Sequence, residues 1–218
     1  MGDTPSTNVR VVTISATYGA GGSVVGPRLA ERLGLPFADR LLPADDVAER
    51  ALVTECLSEE ERDQTAKVSL LNRLAYVSGG LGMPVPNPAD LGPGVREQVE
   101  ASIDQLVRAG GAVVLGRAGA VVLEGHPRAL HVRLDGPEQR RLARAMLIEK
   151  IDEKTAHHRL AEADRARARY VHRIYGRDGT DPGLYHLIID STTLPIETCV
   201  SLIALAAQAL WEIHPVDS

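Results

Sequence analysis

The sequence predicts an α/β fold in which a parallel sheet is covered by helices on both faces, a three-layer arrangement. Three observations lead there. Short runs rich in β-branched and other apolar residues, at 9–14 (VRVVTI), 112–116 (AVVLG), 129–134 (ALHVRL) and 185–190 (YHLIID), alternate with longer stretches of helical periodicity. The second and third runs read as buried strands. A chain of 218 residues, 44% of them hydrophobic, can bury one sizeable core.

Residues 1–8 (MGDTPSTN) are small and polar and read as a tail ahead of one domain at 9–218. The strand at 9–14 runs into a glycine cluster, and Val24, Val25, Leu29 and Leu33 then fall at helical spacing. Residues 44–77 carry the pattern of two surface helices. Residues 78–94 contain five glycines and four prolines and read as the longest irregular segment, unable to hold helix or inner strand. A helical pattern follows from 95 to 106, then the strands at 112–116 and 129–134 with a short helix between them. Arginine-rich helices occupy 137 to about 175, and after the strand at 185–190 Pro195 opens a closing helix that runs to about Ile213. Its apolar face, Val200, Ile203, Ala204 and Ala207, belongs to the core, with a homodimer contact as the second reading.

Composition narrows the partners. A net charge of −5 and an isoelectric point near 5.8 argue against a chain built to bind nucleic acid or an acidic membrane, and 3% aromatic content leaves no platform for stacking bases. Only Lys67, Lys150 and Lys154 are lysines, so nearly all positive charge is guanidinium, suited to bidentate grip on carboxylate or phosphate. A genome rich in G and C produces the same bias. Cys56 and Cys199 form no metal or disulfide spacing, which fits a reducing cytoplasm. Ser201 and Gln208 interrupt the longest apolar stretch, so neither secretion nor membrane spanning is expected. His157, His158, His172 and His186 show no paired ligand spacing with a carboxylate.

The segment SATYGAGGS, 15–23, has the form of a phosphate-binding loop: glycines let successive backbone N–H groups converge on an anion, and the loop feeds the positive end of a helix. Set against the pattern G-x-x-x-x-G-K-[ST], Ala16 takes the first position, Gly21 the second glycine, Gly22 the lysine and Ser23 the Mg²⁺-binding hydroxyl. Gly19, Ala20, Gly21, Gly22 and Ser23 are the expected anion-binding backbone. A plain glycine turn packing strand on helix is the competing reading.

Three longer blocks, TISATYGAGGSVVGPRLAERLGLPFADR, VVLGRAGAVVLEGHPRALHVRLDGPEQRRLARA and ADRARARYVHRIYGRDGTDPGLYHLIIDSTTLPIE, give the chain a resemblance to the cytidylate kinase-like proteins. These are relatives of bacterial cytidylate kinase within the nucleoside-monophosphate kinases, and glycine often replaces the loop lysine among them. The resemblance implies a P-loop NTPase-type fold with a helical monophosphate-binding subdomain at about 40–95 and a short lid at about 137–160. It also implies ATP and Mg²⁺ as cofactors, a small nucleotide as partner, and transfer of the ATP γ-phosphoryl group to a nucleoside monophosphate of the CMP type. Asp39, Arg40, Arg96, Arg117 and Asp164 match acceptor-site positions. Ala118 stands where the family's Gly-Arg-Asp motif has aspartate, which removes a carboxylate that helps cytidylate kinases read the acceptor. Arg140, Arg141 and Arg144 lie on the lid segment, and Asp164 with Arg167 matches an Asp-x-x-Arg pair. Since phosphoryl transfer asks chiefly for positioned positive charge, Arg140, Arg144 and Arg167 are the expected replacements for the missing lysine. The alternative is a non-catalytic nucleotide-binding or regulatory protein that keeps the kinase fold.

Overall fold

The computed structural model describes residues 9–38, 92–116 and 118–214. The expected helices of 44–77, most of the 78–94 segment, the 1–8 tail, Asp39, Arg40 and Arg117 lie outside the described residues.

Five strands form one parallel sheet: β1 (Val11–Ala16), β2 (Phe37–Ala38), β3 (Val113–Leu115), β4 (Ala129–Asp135) and β5 (Leu187–Asp190), in the order β2-β3-β1-β4-β5. The helices are α1 (Gly22–Leu33), α2 (Gly92–Arg108), α3 (Gly119–Val122), α4 (Glu138–Glu149), α5 (Glu153–Tyr175) and α6 (Ile196–Ile213). Sequence reading missed the two-residue β2. It also began α2 too late: Gly92, Pro93 and Gly94 form its first turn, where a proline loses no intrahelical hydrogen bond.

Side-chain alternation along the inner strands divides the interior. Val12, Ile14, Val113, Leu115, Leu130, Val132 and Leu134 point to the layer of α1 and α6, where they meet Val25, Leu29, Val200 and Ile203. Val11, Ala112, Val114 and Ala129 point to the opposite layer and meet Val99, Ile103 and Tyr170 of α2 and α5. The face of α6 read as core is buried as expected, with Val200, Ile203, Ala204 and Ala207 all at 5% exposure or less. Arg128 joins the two ends of the domain. Its Nε donates to Val9 O at 3.0 Å and its Nη1 to Trp211 O at 3.0 Å, while Trp211 Nε1 donates back to Arg128 O at 2.9 Å.

β1 lies between β3 and β4, so the chain leaves it toward one edge of the sheet and later returns to build the other. In parallel α/β sheets such a switch point opens a crevice outside the carboxyl ends of the strands. The glycine loop sits at that point, between β1 and α1.

Candidate active site

A cleft of about 570 Å³ opens there, lined by the loop, the carboxyl ends of β1, β3 and β4, and the inner faces of α4 and α5. Its chemistry begins in the strands. The residues that share the α5-side face of β1 and β4 pair as Val11 with Ala129, Thr13 with His131 and Ser15 with Arg133. Both strands thus turn from apolar to polar toward their carboxyl ends. Thr13 Oγ1 lies 2.8 Å from His131 Nδ1, and His131 Nε2 donates to Leu123 O at 3.2 Å, so the Thr13 hydroxyl donates to a neutral ring. Burial, aided by the stacked His186 ring, pushes the His131 pKa down to about 4.

Farther along, Asp135 accepts from Thr17 Oγ1 at 2.9 Å, from Gly136 N at 2.9 Å and from Arg133 Nη2 at 2.9 Å. Burial alone would raise this carboxyl, but the Gly136, Arg133 and Thr17 bonds together hold it below the ordinary value. Arg133 also donates to Gly179 O at 3.0 Å and lies over the Tyr185 ring. Neither Arg133 nor Asp135 was singled out in the sequence, where ALHVRL, 129–134, reads as buried strand and Asp135 falls just past its end. The polar residues at alternate positions of that strand were the available signal.

The loop is clamped from the helical side. Asp164 Oδ1 accepts the Tyr18 backbone N–H at 2.9 Å, and Asp164 Oδ2 accepts Arg141 Nη1 at 2.7 Å; Arg141 Nη1 also donates to Tyr18 O at 3.0 Å. Arg167 Nη1 reaches Asp164 Oδ1 at 3.1 Å. The fit is close: a Cβ on Gly19, which has φ of 78°, would stand 2.2 Å from Arg141 O. Tyr18 packs with Leu142, Ala156 and Leu160 between α4 and α5, and burial together with the nearby Glu149 carboxylate pushes its hydroxyl pKa up to about 12.

Of the expected anion-binding groups, Ala20 N–H is taken by Thr17 O at 3.1 Å. The N–H groups of Gly19, Gly21, Gly22 and Ser23 have no hydrogen-bond acceptor among the described residues, no side chain caps α1, and its first turn holds no acid. An uncapped helix N-terminus with convergent donors is an anion site in waiting. The exposed Ser23 side chain lies in the cleft, as a hydroxyl ligand for a phosphate-bound Mg²⁺ requires.

The candidate arginines separate. Arg167 lines the cleft and Arg144 lies beside the loop, its fully buried Nη1 3.3 Å from where a Cβ on Gly21 would stand and without a hydrogen-bond partner among the described residues. Arg140 does not enter: its Nη2 donates to Asp190 Oδ2 at 2.6 Å and its Nε to Thr192 Oγ1 at 3.1 Å. Its neighbour Arg141 occupies the cleft instead, because one step along a helix turns the side chain by about 100°. Arg96 is likewise outside the cleft, paired with Glu100 at 2.7 Å and lying over the Tyr175 ring. Asp164 orients Arg141 and Arg167 and holds the loop. Ala118 lines the cleft in a left-handed conformation with φ of 50°. No group of three or more potential metal ligands among His, Cys, Asp and Glu occurs among the described residues.

A glycine loop feeding an uncapped helix at the switch point of a parallel sheet, faced by guanidinium groups from a helical hairpin, defines a kinase-like protein of the P-loop class. The chain belongs to the cytidylate kinase-like family, whose model matches residues 11–193. It is 24% identical over 212 residues to the cytidylate kinase of Methanopyrus kandleri, an alignment covering 93% of this chain and 95% of that enzyme. A uronate isomerase of Corynebacterium glutamicum is 31% identical over 108 residues, which is 48% of this chain and only 20% of the isomerase. The crystal structure of an uncharacterized protein from Eubacterium ventriosum superposes with a TM-score of 0.62 at 18% identity, covering 92% of this chain and 99% of that one, a likeness of fold.

Proposed function

We propose that the protein transfers the γ-phosphoryl group of ATP to a small phosphorylated acceptor, a nucleoside monophosphate of the cytidylate type. The observation that carries this reading is the set of four loop N–H groups without an acceptor among the described residues, facing a cleft that also receives Arg141 and Arg167. The loop donors hold the triphosphate, and Ser23 holds Mg²⁺, which neutralises charge on the phosphates when bound. Arg144 supplies the cation that the loop lacks at Gly22. A guanidinium N–H buried without a partner is costly, and an anion on the loop gives it one. Asp164 keeps Arg141 and Arg167 aimed at the cleft, and the α4–α5 hairpin serves as the lid.

The second reading is a nucleotide-binding protein without turnover, favoured by the missing lysine and by Ala118 at the family's aspartate position. A coupled assay of ATP against a panel of nucleoside monophosphates, run beside calorimetry of ATP binding, separates the two. Phosphorylation of one acceptor well above background ATP hydrolysis is the expected result. Tight ATP binding with no acceptor phosphorylated establishes the second reading. In the active case Arg144→Ala lowers kcat on the order of 10²-fold with a smaller change in ATP affinity. Arg140→Ala, whose side chain is engaged with Asp190, leaves kcat near that of the wild type.

A further inference from the structure

α6 is apolar on both sides. Its inner face is buried on the sheet, yet Leu202, Leu205, Ala209 and Ile213 recur at spacings of three and four on the outer face. Leu205 is 66% exposed and Ile213 73%. An outer-layer helix ordinarily turns a polar face to water; here Thr198 and Glu212 also face outward, yet Leu202, Leu205 and Ile213 leave an apolar stripe open between them. By length and composition alone, α6 is also apolar enough to cross a membrane.

We propose that this outer face is a homodimer interface in which α6 packs antiparallel against α6 of a second copy. A two-fold contact sets a patch against itself, and this stripe is self-complementary. Leu202 falls beside Ile213 of the second copy at each end, and the small Ala209 near the centre lets the two helices approach.

The charges along the α1 edge of the stripe select the antiparallel arrangement. Arg28 pairs with Glu197, and Arg32 Nη1 donates to Ser201 Oγ at 2.6 Å, all beside the first half of α6. Glu212 lies exposed near its other end. An antiparallel two-fold keeps the same edge of both helices on one side and exchanges their ends, so Arg32 faces Glu212 of the second copy, twice. A parallel two-fold sends the same edge of the two helices to opposite sides, so Arg32 meets no Glu212 there. Eighteen residues make about 27 Å of helix, and α1 alongside widens the face toward the roughly 800 Å² per partner that specific interfaces bury.

Two other occupants fit less well. α6 contains no Lys or Arg, whereas helices lying on anionic bilayers carry them on their polar face. The 1–8 segment has no apolar residue after Met1 with which to fill the stripe.

Sedimentation equilibrium of the full chain over micromolar concentrations tests the proposal, which stands independently of the phosphate site. The expected mass is twice the 23.4 kDa of one chain. Leu205→Glu raises the dimer dissociation constant roughly 30-fold or more, with the circular dichroism and melting temperature of the monomer unchanged. Arg32→Glu weakens the dimer, and Arg32→Glu combined with Glu212→Arg restores it. A wild type that stays monomeric throughout, a Leu205→Glu variant that still dimerises, or a charge swap that restores nothing overturns the proposal. So does Leu205-dependent binding of the monomer to phospholipid vesicles.

Discussion

Ala16 fills the space that a side chain at Gly22 would need: a Cβ on Gly22 would stand 2.6 Å from the Cβ of Ala16 and 3.1 Å from Leu115 Cδ1. The loop therefore does more than lack a lysine, since its first position carries the methyl group that excludes one. Gly22→Lys alone is expected to destabilise by about 1–3 kcal/mol, the usual cost of overpacking. Adding Ala16→Gly removes the clash and recovers most of the loss. Thermal unfolding of the two variants is the check, and a single Gly22→Lys protein as stable as the wild type contradicts the steric account.

Asp164 holds the loop and two arginines at once, with its side chain 26% exposed and that of Arg141 only 10%. Asp164→Ala removes the carboxylate hydrogen-bonded to the nearly buried Arg141 guanidinium and leaves it the carbonyls of Gly136 and Tyr18 and the Asp135 carboxylate 3.8 Å away; breaking a fully buried pair costs about 3–5 kcal/mol, and the loss here is smaller because these partners remain and water reaches the site. Loss of the Tyr18 tether should also loosen the loop. The expected outcome is a lower melting temperature together with weaker binding of ATP. Unchanged nucleotide affinity in a folded variant removes Asp164 from the site.

His131 makes stability depend on pH in a definite direction. Its folded pKa, about 4, lies below the ordinary 6.5, so between those values the unfolded chain binds more protons. Stability is complete above the unfolded pKa and falls as pH drops through 6.5 toward 4, by on the order of 3 kcal/mol. Urea unfolding across that range should show the slope. His131→Asn should flatten it, and an equally steep slope in that variant assigns the effect to other groups.

Arg128 and Trp211 bind each other reciprocally and tie the end of α6 to β4 and to Val9. Removing the guanidinium orphans buried carbonyl oxygens. Arg128→Met, which keeps most of the apolar stem, should cost about 2–3 kcal/mol, the scale of a charged hydrogen bond lost from the interior. Chemical denaturation measures it, and a loss below about 0.5 kcal/mol, the size of an ordinary surface change, shows the clamp to be dispensable.

The order of strands and helices, the glycine loop at the end of the first strand and the arginine-rich hairpin were legible in the sequence, because hydrophobic periodicity and glycine clustering are local signals. The structure bears them out within a few residues at most ends; the GPG at 92–94 is an exception, since a helix start tolerates what a helix interior does not. Side-chain direction was not legible. Arg140, Arg141 and Arg144 are equivalent as residue types, and only the packing of α4 on the loop sends Arg141 into the cleft, Arg144 beside Gly21 and Arg140 to Asp190. Arg133 was hidden in a strand whose apolar residues dominated its reading, and Asp135 fell just past its end.

By itself, then, the sequence determined the α/β class, the phosphate-loop form of residues 15–23 and the absence of lysine from it. Tertiary structure alone decided that Ala16 closes the lysine's position, which arginines meet the cleft, and that α6 keeps an apolar stripe in water. The reason is one of range: backbone periodicity is set by neighbours within a few residues, whereas a contact such as Tyr18 with Asp164, 146 residues apart, exists only once the sheet and its two helical layers have packed.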